Sequence, residues 1–418
     1  MSQPFLWVFV KKVSTVAEPS TLQRNKGISI DEISLIADRA MRMLGEIRSS
    51  MLAPSKEKVP PVFSAVQVAE LCGMDKSQLS RRLARGDLPE GKVINAARRQ
   101  FTLTEARKWV QAMGVPFTRG ERPGVTLSIG NFKGGVSKTT TAMTLAQGLS
   151  LRGYRVLLID TDPQGSLTTL FGLLPDSEVP AEETLHDLFL GEQSSVEYAI
   201  KSTYWDGIDL IPASPALFSA EFALPAQQMR DRTFSFWDVL NKGLANARQA
   251  YDVILIDTPP SLSYVTINAF MAAEGLIVPL PPNSLDFASS AQFWSLFSDL
   301  ASGLQHSVKL AKQFQFIHVL LSKVDMGDAT SSIVREWITA TYTDMVLPVE
   351  IPKTSVANVS AAQFGTVYDI SKYAGSRKTY QRAREAYDRV VKLVELSIMG
   401  CWQRSEIDAG KKVREEVK

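Results

Sequence analysis

Two lysines, Lys133 and Lys138, stand in one glycine-rich stretch, TLSIGNFKGGVSKTTT, which runs from Thr126 to Thr141. An apolar run (Val125, Leu127, Ile129) leads into it, and a helical pattern (Ala142, Leu145, Ala146, Leu149) follows. Strand, glycine-rich turn and helix together form a cradle for phosphate. Gly134 and Gly135 let the backbone N–H groups around Val136 and Ser137 converge on anionic oxygens. The helix N-terminus adds partial positive charge, and Lys138 adds a full one. Thr139 follows that lysine, where a hydroxyl can ligate the magnesium that accompanies phosphates, and Thr140 extends the hydroxyl run. The chemistry implied is the binding of a phosphate-bearing ligand together with Mg2+.

Carboxylates complete such a site when they stand at the ends of strands on the same rim. Two apolar runs end this way: VLLIDTDPQG carries Asp160 and Asp162, and VILIDTPPS carries Asp257. Aspartates at this rim can hold magnesium directly or through water, and one can orient or deprotonate an attacking water. A single aspartate after a strand is often just a helix N-cap. Two such strands downstream of a phosphate loop make the catalytic reading the stronger one.

The elements that must position these groups follow from the pattern. From Val125 onward apolar strands (VTLSIG, RVLLID, DLIPA, DVILID, GLIVPL, FIHVLLSKV, MVLPVEI) alternate with helical segments, including one around Leu167 to Phe171. That alternation predicts an α/β fold, a mostly parallel sheet flanked by helices, of the P-loop NTPase class. VILID and IHVLL are nearly all apolar, as strands buried on both faces should be.

The N-terminal third reads differently. Ser29 with Glu32 forms a capping box, and Ile30, Ile33, Ile36, Ala37, Ala40, Met43, Leu44 and Ile47 follow at the spacing of one helical face. This amphipathic helix can fold back on its own chain or pair with a second copy. After a break at Pro54 to Pro61, residues 63 to 85 read as helix–turn–helix. Ser64 caps the first helix, Gly73 makes the turn, and Asp75 or Ser77 caps the second. The outward face of the second helix presents Lys76, Gln78, Ser80, Arg81, Arg82 and Arg85, side chains suited to phosphates and base edges. GKVINAARRQFT reads as a ribbon with Arg98 and Arg99 near its tip, and Thr104 to Met113 as a further helix. Roughly ten basic residues stand against three acidic ones between Lys76 and Arg119, a DNA-binding balance. The alternative is a small helical domain with a solvated basic face. A second basic segment, SKYAGSRKTYQRAREAYDRV, carries Lys372, Arg377, Lys378, Arg382, Arg384 and Arg389. It can make sequence-independent, salt-sensitive phosphate contacts, or it is a solvated helix with pairs such as Arg384 with Asp388. The expected organisation is an arm and long helix over 1–60, an all-α or winged helix–turn–helix domain over 61–118, a linker over 119–124, a nucleotide domain over 125–400 and a polar tail over 401–418.

Composition sets wider bounds. The chain has 418 residues, 45% of them hydrophobic and 22% charged, the proportions of a water-soluble globular protein. The net charge of +2 hides the local patches above. Cys72 and Cys401 are the two cysteines, without metal spacing, which argues against a zinc site or a disulfide framework and fits a reducing cytosol. No apolar run approaches the roughly 20 residues needed to span a bilayer.

The loop departs from the strict G-x-x-x-x-G-K-[ST] pattern, with Phe132 and Ser137 where glycines belong, and instead reads K-G-G-x-x-K-T. In this it resembles the deviant Walker A loop of the ParA/MinD/Soj ATPases. DTDPQG resembles that family's switch-like motif, and IDTPPS its Walker B motif. INAFMAAEGLIVPL resembles a further family stretch, with Glu274 in place of the usual aspartate. The resemblance covers nearly all of 125–390, and with the N-terminal extension it is closest to large plasmid-partition ParA proteins. It implies that Asp160 lies near the magnesium water shell, that Asp162 positions the nucleophilic water, and that Asp257 is the Walker B carboxylate. It also implies that Lys133 crosses a two-fold interface to the other subunit's ATP, with the long N-terminal helix adding dimer contacts. The implied protein is a slow ATPase, cytoplasmic and nucleoid-associated. It dimerises on ATP, binds nonspecific nucleoid DNA, is stimulated by a ParB-type centromere-binding partner, and regulates its own operon by binding operator DNA. Ser137 replaces the family's usual glycine, which implies backbone strain. Three other readings compete: a nucleotide-responsive repressor with incidental hydrolysis, a MinD-like membrane-site selector, and an iron–sulfur reductase. The mixed-charge tail EIDAGKKVREEVK offers no apolar membrane face, and the nucleotide domain offers no paired cluster cysteines.

Overall fold

The computed structural model describes residues 29–52, 58–95, 98–114, 118–308, 312–353, 365–370 and 376–416. The arm over 1–28, part of the Pro54 to Pro61 break, the ribbon tip at 96–97 and Lys372 lie outside the described residues. The chain divides into two compact units, residues 1–56 and 57–418.

In the first unit, α1 (Ile30–Leu52) is a single 23-residue helix. Its N-terminus carries the expected capping box: Ser29 N–H donates to Glu32 Oε2 at 2.8 Å, and Glu32 N–H donates to Ser29 Oγ at 3.2 Å. Ile30, Ile33, Leu35 and Ile36 are all more than half exposed.

The second unit begins with a small module. β1 (Phe63–Ser64), β3 (Arg98–Phe101) and β2 (Lys92–Asn95) form an antiparallel sheet in the order β1-β3-β2. Around it stand α2 (Ala65–Leu71), α3 (Lys76–Leu83) and α4 (Leu103–Ala112). Each helix starts at a capping box, Ser64 with Gln67, Asp75 with Gln78 and Thr102 with Glu105. Of the two candidate caps for α3 the structure uses Asp75, and α4 starts earlier than the sequence suggests because Thr102 provides its cap.

The main sheet has eight strands. In chain order they are β4 (Val125–Ile129), β5 (Val156–Asp160), β6 (Lys201–Ser202), β7 (Ile208–Ile211), β8 (Val253–Asp257), β9 (Gly275–Leu280), β10 (Phe316–Val324) and β11 (Val346–Pro352). The spatial order is β11-β10-β9-β4-β8-β5-β7-β6, parallel throughout except for the β6–β7 pair. β4, β5, β8 and β9 are buried at every position, which explains why their sequences read as unbroken apolar runs. Helix α5 (Lys138–Leu151) follows the phosphate loop and α6 (Ser166–Leu170) follows β5. Next come α7 (His186–Leu190), α8 (Ala220–Arg230), α9 (Val239–Gly243), α10 (Ala247–Ala250), α11 (Tyr264–Ala272), α12 (Ser284–Val308) and α13 (Ala329–Tyr342).

The last helix, α14 (Arg377–Glu416), runs for 40 residues. It continues through the stretch read from sequence as a polar tail from 401. Cys401 and Trp402 are buried, and the indole N–H of Trp402 donates to Pro123 O at 3.2 Å. Those two residues carry the helix into the core where composition alone suggested a chain end.

The small module shares its core with the main sheet. Phe101, Leu103, Ala106 and Trp109 join one buried cluster with Leu149 of α5 and Val394 of α14. A buried arginine reinforces the contact. Arg107 of α4 donates to Ser150 O and Tyr154 O, both at 2.9 Å, and pairs with Asp206 at 2.8 Å. Carbonyls at the end of α5 thereby gain donors that the helix itself cannot supply.

Candidate nucleotide site

The site forms where β4, β8 and β5 end side by side. The parallel register places Ile129 opposite Asp257 and Asp257 opposite Asp160, so the phosphate loop and both strand-end aspartates share one rim. The loop occupies Gly130 to Ser137, before α5. Gly135 has φ +74° and Ser137 has φ +79°, both in the left-handed region. Glycine takes that conformation freely, whereas at Ser137 it costs about 1 kcal/mol, the strain expected of a serine there.

Lys138 is 7% exposed, and its ammonium donates to Lys133 O at 2.9 Å. Burial lowers its pKa, and the Asp257 and Asp162 carboxylates partly offset this. Asp160 is fully buried; its Oδ2 accepts from Thr168 N–H at 2.8 Å and Thr168 Oγ1 at 2.7 Å, and its Oδ1 accepts from Asp162 N–H at 3.1 Å. Burial nonetheless pushes its pKa up to about 7. Asp257 is also fully buried, and neither carboxylate oxygen has a hydrogen-bond partner of normal geometry. Burial, followed by the facing Asp160, raises its pKa well above the usual range, and Thr139 and Lys138 only partly offset this. Asp162 is half-buried at the mouth, where Oδ1 accepts from Gln164 N–H at 3.0 Å.

Two facing buried carboxylates, one of them orphaned, beside a threonine hydroxyl make a hard-oxygen set short of positive charge. That is the environment a magnesium ion fits. Among the described residues no three His, Cys, Asp or Glu side chains cluster as a self-sufficient metal site.

Lys133 is half-buried and its ammonium is ion-paired with Asp286, near the start of α12. Sequence reasoning missed Asp286. Its signal was a third strand, β9, ending at the same rim, followed by an Asn283-to-Asp286 helix start. It also missed Thr168, which holds Asp160, and Ser322 at the end of β10, where it offered only Lys323 and Asp325, as candidates for adenine contact. There Ser322 Oγ donates to Val136 O at 3.0 Å and Lys323 Nζ donates to Gly135 O at 2.5 Å. Lys323 itself has φ +52°. Glu274 lies away from this rim; its Oε2 accepts from Thr126 N–H at 2.6 Å at the opposite end of β4.

The basic candidates lie elsewhere. Lys76, Gln78, Ser80, Arg81 and Arg85 are exposed on or just after α3, and Arg98 is exposed on β3. Several of the group are occupied within the chain. Gln78 closes the cap of α3, Ser80 Oγ donates to Lys76 O, Arg82 pairs with Asp87 at 2.8 Å, and Arg99 pairs with Glu90 at 3.6 Å. On α14, Arg377, Lys378, Arg382 and Arg389 are exposed. Arg384 instead bonds Asp388 at 3.2 Å and lies 4.0 Å over the Tyr368 ring. Among the described residues no helix is long and apolar enough to cross a membrane.

Known proteins resemble this chain in sequence and in fold. A family model described as an AAA domain matches residues 124–310. The chain is 35% identical over 266 residues to the chromosome partitioning protein ParA of Caulobacter vibrioides, covering 63% of this chain and 94% of that protein. It is 30% identical over 327 residues to the protein SopA of Escherichia coli, covering 76% of this chain and 83% of that one. A solved structure described as a partition protein superposes with a TM-score of 0.62 at 19% identity, over 87% of this chain and 96% of the other, a likeness of fold.

Proposed function

The chain belongs to the ParA family of partition ATPases, and from that premise we propose that it is a nucleotide-driven switch that segregates a DNA replicon. The observation that carries the reading is the rim itself. Lys133 and Lys138 stand in one phosphate loop, and Asp160 and Asp257 face each other in register beside it.

ATP lies along the loop from Lys133 to Thr140, with Lys138 on its terminal phosphates. Thr139, Asp160 and Asp257 would hold Mg2+, which would supply positive charge against the phosphates. Asp162, half-exposed at the mouth, orients the attacking water. Lys133 reaches the nucleotide of a second copy, so ATP binding and homodimerisation are coupled and transition-state charge is stabilised across the interface. The exposed isoleucines of α1 add a second contact between copies. The dimer binds nucleoid DNA without sequence preference through Arg377, Lys378 and Arg382, and a ParB-type partner accelerates an otherwise slow hydrolysis. α2 and α3 act as a helix–turn–helix on operator DNA, with Lys76, Arg81, Arg85 and Arg98 as exposed cations that make no ion pair among the described residues. The protein works in the cytoplasm, on the nucleoid.

A second reading, a nucleotide-responsive repressor, draws support from Arg107. This residue fixes the small module to the end of the phosphate-loop helix and so gives the nucleotide a direct hold on it. One experiment separates the two: binding to random-sequence DNA with ATP, ADP or no nucleotide, for wild type and Lys138→Ala, across a salt series. The partition switch requires ATP-specific binding that falls steeply with salt and is lost in the variant. Equal binding in all nucleotide states would sink it and leave the repressor.

A further inference from the structure

Lys133 is the residue that the proposed function sends across to a partner, yet in the single chain it is already engaged. Its ammonium forms an ion pair with Asp286 Oδ1. The Asp286 side chain is 8% exposed, while that of Lys133 is 34% exposed. Asn283 holds the carboxylate in place: its amide donates to Asp286 Oδ2, and its Oδ1 accepts from Asp286 N–H at 3.0 Å. Oδ1 itself is buried and receives no hydrogen bond of normal geometry, so the Lys133 ammonium is its compensation among the described residues. The lysine backbone is held too, since Lys133 N–H donates to the side chain of Asn131 at 3.1 Å, and buried Asn131 is anchored to Pro279 O at 2.9 Å.

We propose that Asp286 is a positioning residue that holds Lys133 in a parked state within its own subunit and sets how much ATP is needed to release it. The inference rests on the reading of Lys133 as the lysine that acts in trans. The chemistry is an exchange of counter-ions. Withdrawing the ammonium leaves a buried carboxylate uncompensated, which is unfavourable unless a stronger anion receives the lysine. A triphosphate in a facing copy is such an anion, and a diphosphate, with less charge, is a weaker one. Asp286 therefore opposes pairing without nucleotide and sharpens the discrimination between ATP and ADP. The fixed lysine backbone means that release needs only side-chain rotation, so the latch can open without the loop unfolding.

The test is made on the full chain with Asp286→Asn, Asp286→Glu, Lys133→Ala and the double variant Lys133→Ala/Asp286→Asn. Without nucleotide, acylation of Lys133, read by mass spectrometry against other lysines, should be about ten-fold faster in Asp286→Asn and near wild type in Asp286→Glu. The ATP concentration at half-maximal dimerisation should fall by about the same factor in Asp286→Asn, with ADP now also supporting dimers. Thermal unfolding supplies the control for a purely structural role. Asp286 also sits at the start of α12, so as a helix cap alone it would destabilise equally with and without Lys133. As a latch, its effect is largely lost in the Lys133→Ala background.

Unchanged acylation in Asp286→Asn together with additive stabilities overturns the proposal. Wild type that never dimerises with ATP overturns the trans reading of Lys133. The acylation and unfolding measurements need no dimer, so the two failures are told apart.

Discussion

Asp160, Asp257 and Lys138 are 0%, 0% and 7% exposed, whereas Lys76, Arg81, Arg85 and Arg98 stand in water. Both regions are proposed to meet phosphate, and they hold charge in opposite ways. At the strand rim a few charges are buried with too little compensation, and the carboxylate pKa values rise as a result. A cation and an anion from outside would complete such an arrangement, so burial itself points to a ligand. On the small module charge costs little. A surface arginine is tolerated anywhere, and an intramolecular carboxylate readily takes it up, as Asp87 takes Arg82. There the informative residues are those that remain without an ion pair among the described residues.

The largest expected effect sharpens the first half of that contrast. Asp162→Ala should lower ATP turnover by about a thousand-fold, the scale of losing a group that orients or deprotonates water. ATP affinity should fall far less than turnover, because Asp162 is half-exposed at the mouth and gives the buried Lys138 only part of its compensation, after Asp257. Parallel loss of binding and turnover would place Asp162 among the residues that hold the nucleotide.

Arg107→Ala tests whether the two regions are separate at all. Removing the guanidinium leaves the Ser150 and Tyr154 carbonyls without that donor and opens a hole beside Gly207, at a cost of about 3 kcal/mol. Chemical denaturation followed by two probes, one in each region, should show a single transition at a lower midpoint. Two separated transitions would mean that the small module folds on its own.

The pH dependence is a smaller effect with a definite sign. Native Asp160 keeps its proton to about pH 7, against an ordinary value of 3.8. Below that ordinary value the fold has the full benefit of the neutral carboxyl, and the benefit is lost as pH rises toward 7. Asp257 acts in the same direction. The melting temperature of nucleotide-free protein should therefore fall more steeply between pH 4 and 7 in wild type than in Asp160→Asn. Adding ATP with Mg2+ should flatten the wild-type profile, since a bound cation favours the ionised form. Equal slopes with and without Asp160 would show that it ionises freely.

The sheet and the rim were legible because their chemistry permits few alternatives. Fully buried strands must be apolar runs, phosphate cradles need glycines and a lysine, and aspartate at the end of such a run is costly unless used. Asp286 was illegible because an acidic residue in a first helical turn has an ordinary explanation in the helix dipole. Only the fold brings it to Lys133. Arg107 was hidden for a related reason: on a basic segment it counted toward DNA binding, while the structure spends it on three carbonyls and Asp206. The end of the chain misled through composition, because a helix of mixed charge reads as a solvated tail until Trp402 is seen to be buried.

The smallest effects fall on the module, and they separate free cations from occupied ones. Arg85→Ala removes an exposed cation just after α3 that has no ion pair among the described residues. If it meets a phosphate, affinity for operator DNA should fall by up to about ten-fold and the slope of log affinity against log salt should lessen by about one. Arg82→Ala removes a cation whose charge Asp87 already balances at 2.8 Å, so the same slope should change much less. Charge count alone predicts equal losses from the two variants, whereas the structure predicts unequal ones. A larger change in salt slope for Arg82→Ala would show that DNA displaces Asp87 from the pair, and that the intramolecular contact marks a cation held ready for DNA.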